Sequence, residues 1–346
     1  MILDKFIGVF SNDMAIDLGT ANTIVSVKGK GIIINEPSVV AVQRDRQGKD
    51  KILAVGQEAK RMLGKTPINI QAVRPMQDGV IADFEMTERM IRYFIEKAHS
   101  RKSFIRPRVI ICIPYGITQV ERKAVEESAL SAGAREVFLV EEPMAAAIGA
   151  GIPVSDPEGH VVVDIGGGTT EIGVTSLGGL VLCKSVKVGG DKIDRSIIEY
   201  VRQNYNLFIG ERTAETVKIE VGAAIKLDPE LKIQIKGKDH SGYLSTIELG
   251  SEGIRIAIKE HLKEIASAIR SVLENMPPDL AGDVVDNGII ITGGGALIRG
   301  LDKYLTEIVK IPVRIADEPL LSVAYGTSQV LDEPGLLKII EDMKNS

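Results

Sequence analysis

Twice in this chain a short apolar run ends on an aspartate and breaks at once into glycine and threonine. Met14-Ala-Ile-Asp17 runs into Leu18-Gly19-Thr20, and His160-Val-Val-Val-Asp164 runs into Ile165-Gly166-Gly167-Gly168-Thr169-Thr170. Runs this short and this apolar suit strands buried in a sheet rather than helices. The glycines behind them allow a tight reversal and a close approach of backbone to ligand. A third run, Gly288-Ile-Ile-Ile-Thr292, opens into Gly293-Gly294-Gly295-Ala296. One Asp-led turn in each half of the chain predicts two related halves, packed as lobes around a cleft. At 346 residues the chain has the length of about two domains. Its 35 glycines exceed the roughly 7% of an average protein, and the excess sits in these clusters.

Helical patterns separate the apolar runs, which predicts an α/β fold. Met86, Met90, Ile91, Phe94, Ile95 and Ala98 share one face at helical spacing. So do Ile254, Ile258, Leu262, Ile265, Ile269, Val272 and Met276, ahead of Pro277-Pro278. Both stripes are expected to pack in the core. Val109 to Ile113 is apolar on both faces, as in a central strand.

Composition removes several function classes. Lys plus Arg total 42 against 47 acidic residues, and a net charge of -5 argues against nucleic acid as a partner. Cys112 and Cys183 are too few for a disulfide framework or a zinc site, and small buried hydrophobes are expected there. The four histidines are scattered and no Gly-X-Ser-X-Gly elbow is present. Ala59 to Thr66 approaches a P-loop but lacks its first glycine and its preceding strand. No segment approaches the ~18 apolar residues of a membrane-spanning helix, and the N-terminus lacks the basic leader of a signal peptide. A cytoplasmic protein is the expectation.

The chemistry follows from the turns. Successive N–H groups in a glycine turn form an anion-binding concavity, and the Thr20 and Thr169 hydroxyls add donors. Asp17 and Asp164 at strand ends are candidates to hold Mg²⁺ through its waters, because this ion favours carboxylate and phosphate oxygen. Gly293 to Gly295 offer bare backbone to a base or ribose. Together these features predict a nucleotide clamp.

Four segments carry a resemblance: Asp17-Leu-Gly-Thr-Ala-Asn-Thr23, Glu142-Pro-Met-Ala-Ala-Ala-Ile-Gly149, Asp164-Ile-Gly-Gly-Gly-Thr-Thr-Glu171 and Thr292-Gly-Gly-Gly-Ala-Leu297. They resemble the signature segments of the actin, sugar-kinase and Hsp70 superfamily. Asn35-Glu-Pro-Ser-Val-Val40, Arg74-Pro-Met-Gln-Asp-Gly-Val-Ile-Ala-Asp83 and Val188-Gly-Gly-Asp191 are similar to the MreB family of bacterial actins within it. The likeness runs from about Ser11 to Val330. It implies an actin-like ATPase fold with duplicated ribonuclease-H-like subdomains flanking a nucleotide cleft. The first lobe is then residues 1–145, with an insertion near 31–77 and a return at 318–346. The second is 146–317, with an insertion near 184–248.

The resemblance also implies roles. Gly19, Thr20, Ala21 and Asn22 line the first phosphate loop and Gly166, Gly167 and Gly168 the second, with Asp17 and Asp164 orienting Mg²⁺. Ala214, Glu215, Thr216, Val217 and Lys218 open a helix toward adenine and ribose, Glu215 and Lys218 facing the nucleoside. Gly293, Gly294, Gly295 and Ala296 close over the base. Glu142 positions the attacking water, with Thr169 as its partner. Ile24 stands near where eukaryotic actin carries a lysine, which suits slow hydrolysis. The implied function is a polymerising ATPase whose membrane-bound filaments guide peptidoglycan synthesis and rod shape. Its partners are then further copies of itself, the inner face of the cytoplasmic membrane, and the membrane proteins of cell-wall elongation and morphogenesis.

Ile2, Leu3, Phe6, Ile7 and Phe10 form an apolar stripe at the N-terminus, and Phe104-Ile105 sits among Arg101, Lys102, Arg106 and Arg108. These are candidate membrane feet, apolar side chains inserted and basic ones toward anionic headgroups. A single foot binds reversibly, whereas a filament binds through many. The alternatives are a small-molecule kinase of the same superfamily, an Hsp70-like chaperone ATPase and a plasmid-segregating actin. The kinase would need a separate base aimed at an acceptor hydroxyl, and no acid outside the shared motifs takes that part.

Overall fold

A computed structural model describes residues 12–44, 50–99 and 105–344. The chain divides into two compact units, one running through Pro153 and resuming at Leu321, the other Val154–Leu320. The membrane candidates Ile2, Leu3, Phe6, Ile7, Phe10 and Phe104 lie outside the described residues; Ile105 lies within them and is half-buried.

The first unit is built on a five-stranded sheet of β1 (Met14–Leu18), β2 (Asn22–Val27), β3 (Gly31–Pro37), β4 (Arg108–Ile113) and β5 (Glu136–Glu141). The order is β5-β4-β1-β2-β3. β1, β2 and β3 form an antiparallel meander, and β4 and β5 lie parallel to β1. The second unit repeats the arrangement with β6 (His160–Ile165), β7 (Thr170–Ser176), β8 (Gly179–Val186), β9 (Ile289–Thr292) and β10 (Val313–Ile315) in the order β8-β7-β6-β9-β10. Again the first three form the meander and the last two run parallel to its first strand. Two sheets of one topology are the structural form of the repeat read in the two Asp-led turns.

The helices settle as their stripes predict. In α1 (Phe84–Ala98) all six stripe residues are buried, and the Asp83 carboxylate caps the first turn by accepting from Met86 N at 3.0 Å. α2 (Gln119–Ser131) starts with a reciprocal capping box between Thr118 and Glu121. In the second unit the stripe from Ile254 to Val272 is buried along α6 (Ser251–Glu274), and Met276 packs in the same core cluster. Cys112 is buried as expected, whereas Cys183 is only half-buried.

The first unit ends at Pro153 rather than 145 because α3 (Glu142–Gly149) interlocks with the returning helix Ser322–Asp332. A Cβ on Gly149 would stand 1.7 Å from the Ser322 carbonyl oxygen, and one on Gly326 1.8 Å from that of Ala145. Only glycine allows two backbones so close. The insertions are also narrower than expected. Gly31–Pro37 is β3 of the main sheet, so the first small sheet comprises only Val40–Arg44, Asp50–Val55 and Ile70–Val73. In the second unit β8 continues to Val186 and α4 (Gly190–Tyr205) contributes Ile193, Ile197 and Val201 to the core. The second small sheet is Leu207–Phe208, Lys232–Asp239 and Leu244–Gly250.

Candidate functional site

In the first unit the expected residues gather at the carboxyl ends of parallel strands, where α/β sheets bind ligands. Asp17 stands opposite Cys112 of β4, which stands opposite Val140 of β5. Asp17 and Glu142 therefore lie at the same edge of the sheet, two strands apart. Gly19, Thr20 and Ala21 make the reversal from β1 to β2, and Asn22 begins β2. Thr20 is buried; Asn22 holds Asn35 through its amide, 3.0 Å from Oδ1. Of the two adjacent glutamates, Glu141 is ion-paired with Arg122 of α2, whereas Glu142 opens α3 and is buried. A carboxylate at the start of a helix is favoured by the helix dipole.

The second unit presents the matching edge. Asp164, at the end of β6, lies opposite Thr292 of β9, and Thr292 Oγ1 donates to Asp164 Oδ1 at 2.8 Å. Burial pushes the Asp164 carboxyl up to about 6, the Thr292 bond opposing that only in part. The glycine turn is clamped by backbone bonds. Gly166 N donates to Thr169 O at 2.9 Å, Gly190 N to Gly166 O at 3.0 Å and Asp191 N to Gly167 O at 2.8 Å. Gly189 must be glycine, because a Cβ there would lie 2.6 Å from the Gly167 oxygen. Within the turn, Gly168 and Thr169 are buried. Past β9, Gly293 takes a φ of 78° and a Cβ on it would lie 2.4 Å from the Ile165 oxygen. Gly294, Gly295 and Ala296 follow in a short 3₁₀ turn, which therefore lies directly against the end of β6.

The helix α5 (Glu211–Val221) divides the five residues assigned to the nucleoside. Ala214 and Val217 are fully buried in the core cluster, so their side chains offer a ligand nothing. With Val221 they follow the helical period onto the inner face, which leaves Glu215, Thr216 and Lys218 accessible. Lys218 is engaged with its own protein: Nζ lies 2.9 Å from Asp194 Oδ2 and 3.2 Å from the Gly190 carbonyl oxygen. Burial pushes Asp194 up to about 6, against the pull of Lys218, and its Oδ1 is buried without a hydrogen-bond partner. Thr292, Asp194 and the Gly189-Gly190 clamp carry no role in the sequence reading. Thr292 heads the third glycine cluster, and Val188-Gly-Gly-Asp191 stands among the family-like segments, so both lay within recognised motifs.

These residues fit a magnesium nucleotide. Glycine backbones pack too tightly for any side chain at Gly189, Gly293 and Gly295, where a Cβ would lie 2.1 Å from Ile165 Cγ2. Among the described residues no three acids, histidines or cysteines gather into a cation cage. Mg²⁺ does not need one, since a carboxylate or two with phosphate and water suffice. Asp164, uncomfortable as an anion when buried, is the kind of ligand a cation relieves.

Two sheets of one topology, each with an Asp-ended first strand and a glycine turn behind it, define the actin-like ATPase fold with duplicated ribonuclease-H-like subdomains. The family model described as MreB/Mbl protein matches residues 11–339. The cell shape-determining protein MreB of Escherichia coli (strain K12) is 55% identical over 335 residues, covering 96% of each chain. The cell shape-determining protein Mbl of Bacillus subtilis (strain 168) is 50% identical over 325 residues, 94% of this chain and 97% of that one. The crystal structure of MreB5 of Spiroplasma citri bound to ADP superposes with a TM-score of 0.88 at 38% identity, covering 96% of this chain and 98% of that one. The chain belongs to the MreB/Mbl family.

Proposed function

We propose that this chain binds ATP with Mg²⁺, hydrolyses it slowly, and polymerises into filaments on the inner face of the cell membrane, where they organise peptidoglycan synthesis and maintain rod shape. The observation that carries the nucleotide reading is Asp164: a carboxyl pushed up to about 6 by burial, two residues ahead of the Gly166–Gly168 turn, whose Gly167 carbonyl leaves no room for a side chain on Gly189. The ADP held by the Spiroplasma citri relative supports it, and the names of the Escherichia coli and Bacillus subtilis relatives support the role in cell shape.

In this reading the N–H groups of Gly19 to Asn22 and Gly166 to Gly168 bind phosphate oxygens, and Asp17 and Asp164 hold magnesium through water. The metal supplies charge neutralisation at the phosphates. Glu142 accepts the proton of the attacking water, held in place with the Thr169 hydroxyl, and Glu215 and Lys218 face the nucleoside. With no lysine at Ile24, the chain meets phosphate charge mainly with backbone dipoles, which keeps turnover slow. The candidate feet from Ile2 to Phe10 and at Phe104-Ile105 attach the filament to anionic lipid. Among the described residues no helix is long and apolar enough to cross a membrane.

The rival of the same fold is a small-molecule kinase. Incubation with Mg-ATP and a panel of sugars, polyols and small alcohols separates the two. The expected result is free phosphate equal to ADP, with no phosphorylated acceptor; transfer of label to any acceptor in place of water would replace the filament reading with the kinase.

A further inference from the structure

The small sheet of the first unit leaves the main sheet through two residues, Ser38 and Val39, which link β3 to the strand Val40–Arg44. Ser38 is fully buried behind the Gly19–Asn22 turn, which it touches twice, and it meets Thr23 of β2 once. Its hydroxyl donates to the Gly19 carbonyl at 2.6 Å, its backbone N–H donates to the Ala21 carbonyl at 3.0 Å, and its Oγ lies 2.9 Å from Thr23 Oγ1. A hydroxyl has one proton. Ser38 gives its proton to Gly19, so Thr23 is the donor in the third contact, and the chain runs from Thr23 through Ser38 to the Gly19 carbonyl.

We propose that Ser38 is the positioning residue of the first phosphate loop: it fixes the Gly19–Thr20 peptide plane and ties that plane to the small sheet. The assignment rests on reading the loop as a phosphate binder. A trans peptide is planar, with its carbonyl and N–H on opposite sides. With the Gly19 carbonyl held toward Ser38, the Thr20 N–H faces the opposite side of the loop, away from the protein interior behind it. That is the orientation a phosphate oxygen requires. A side chain has no room at the same position, since a Cβ on Gly19 would lie 2.7 Å from the Asn22 carbonyl oxygen. The next residue, Val39, is buried in an apolar cluster with Ala41, Ala54 and Ala59 of the small sheet and its helix. A rotation of the Gly19–Thr20 plane therefore pulls on Ser38 and, through Val39, on that sheet.

A merely structural hydrogen bond would lower stability and leave ligand discrimination alone. Calorimetric titration of the full chain with ADP and with adenosine, both in Mg²⁺, distinguishes the cases. Ser38→Ala is expected to weaken ADP roughly tenfold, the upper range for loss of one such bond, and to leave adenosine unchanged. Thr23→Val keeps the shape, removes the donor at the head of the chain, and should weaken ADP by a smaller factor with adenosine again unchanged; it serves if Ser38→Ala does not fold. Equal losses for ADP and adenosine, or no loss for ADP, overturn the assignment. A wild-type chain that takes up no ADP overturns the nucleotide reading and this assignment with it.

Discussion

Replacing Asp164 by asparagine stabilises the nucleotide-free protein at pH 7 by about 2 kcal/mol and abolishes its thermal response to magnesium nucleotide. The carboxyl is fully buried with a folded-state pKa of about 6 against an ordinary 3.8. Every tenfold change in proton affinity is worth about 1.4 kcal/mol, so the charged form carries a penalty on the order of 3 kcal/mol above pH 6. Because the folded chain holds this proton more tightly than the unfolded one, the penalty is absent below the unfolded value and grows as pH rises from about 4 to 6. Asparagine avoids it and can still accept from Thr292, at the cost of an imperfect fit. The difference in stability between wild type and variant, measured by urea unfolding at several pH values, should therefore be near zero at pH 4 and largest above 6. Magnesium nucleotide affinity of the wild type should fall as pH drops below 6, since a proton must leave Asp164 before a cation is accepted. A variant that is no more stable at pH 7, or that keeps the full nucleotide response, contradicts the assignment.

Replacing Glu142 by glutamine should leave ATP binding within about twofold and slow hydrolysis by roughly 10²- to 10⁴-fold, the span usual for loss of a positioned general base. Glutamine preserves the buried shape at the start of α3 but cannot take a proton. Single-turnover hydrolysis with nucleotide in excess over its dissociation constant checks this. Loss of hydrolysis with binding intact supports the role; unchanged hydrolysis moves it to another residue. Glu141 provides the control, because its partner is Arg122 and its replacement by glutamine should leave the chemical step unchanged.

Much of this architecture was legible in residue order. Strand-length apolar runs ending in aspartate located β1 and β6, and the stripe from Met86 to Ala98 located the buried face of α1, because local spacing determines which side chains can share a surface. The return of the chain to the first unit was legible through the family likeness, but its cause, glycine against backbone at Gly149 and Gly326, was not. Contacts of that kind join residues distant in sequence and leave no periodic trace. The same holds for Thr292 beside Asp164, for Asp194 beneath Lys218 and for Ser38 behind Gly19. The limits of the insertions were misread because β3 and β8 extend the main sheets as edge strands, and an edge strand with one covered face looks much like an insertion in sequence. For Ala214 and Val217 the signal was present: with Val221 they keep the helical period of a core face, and the motif match took precedence over it.

The central claim is a nucleotide-switched polymer on a membrane surface. Its most direct test is sedimentation of the full chain with and without anionic liposomes, in Mg-ATP, Mg-ADP and no nucleotide. The account predicts polymer in Mg-ATP that pellets with the liposomes, and little or none without nucleotide. Steady ATP consumption with no polymer under any of these conditions would contradict it.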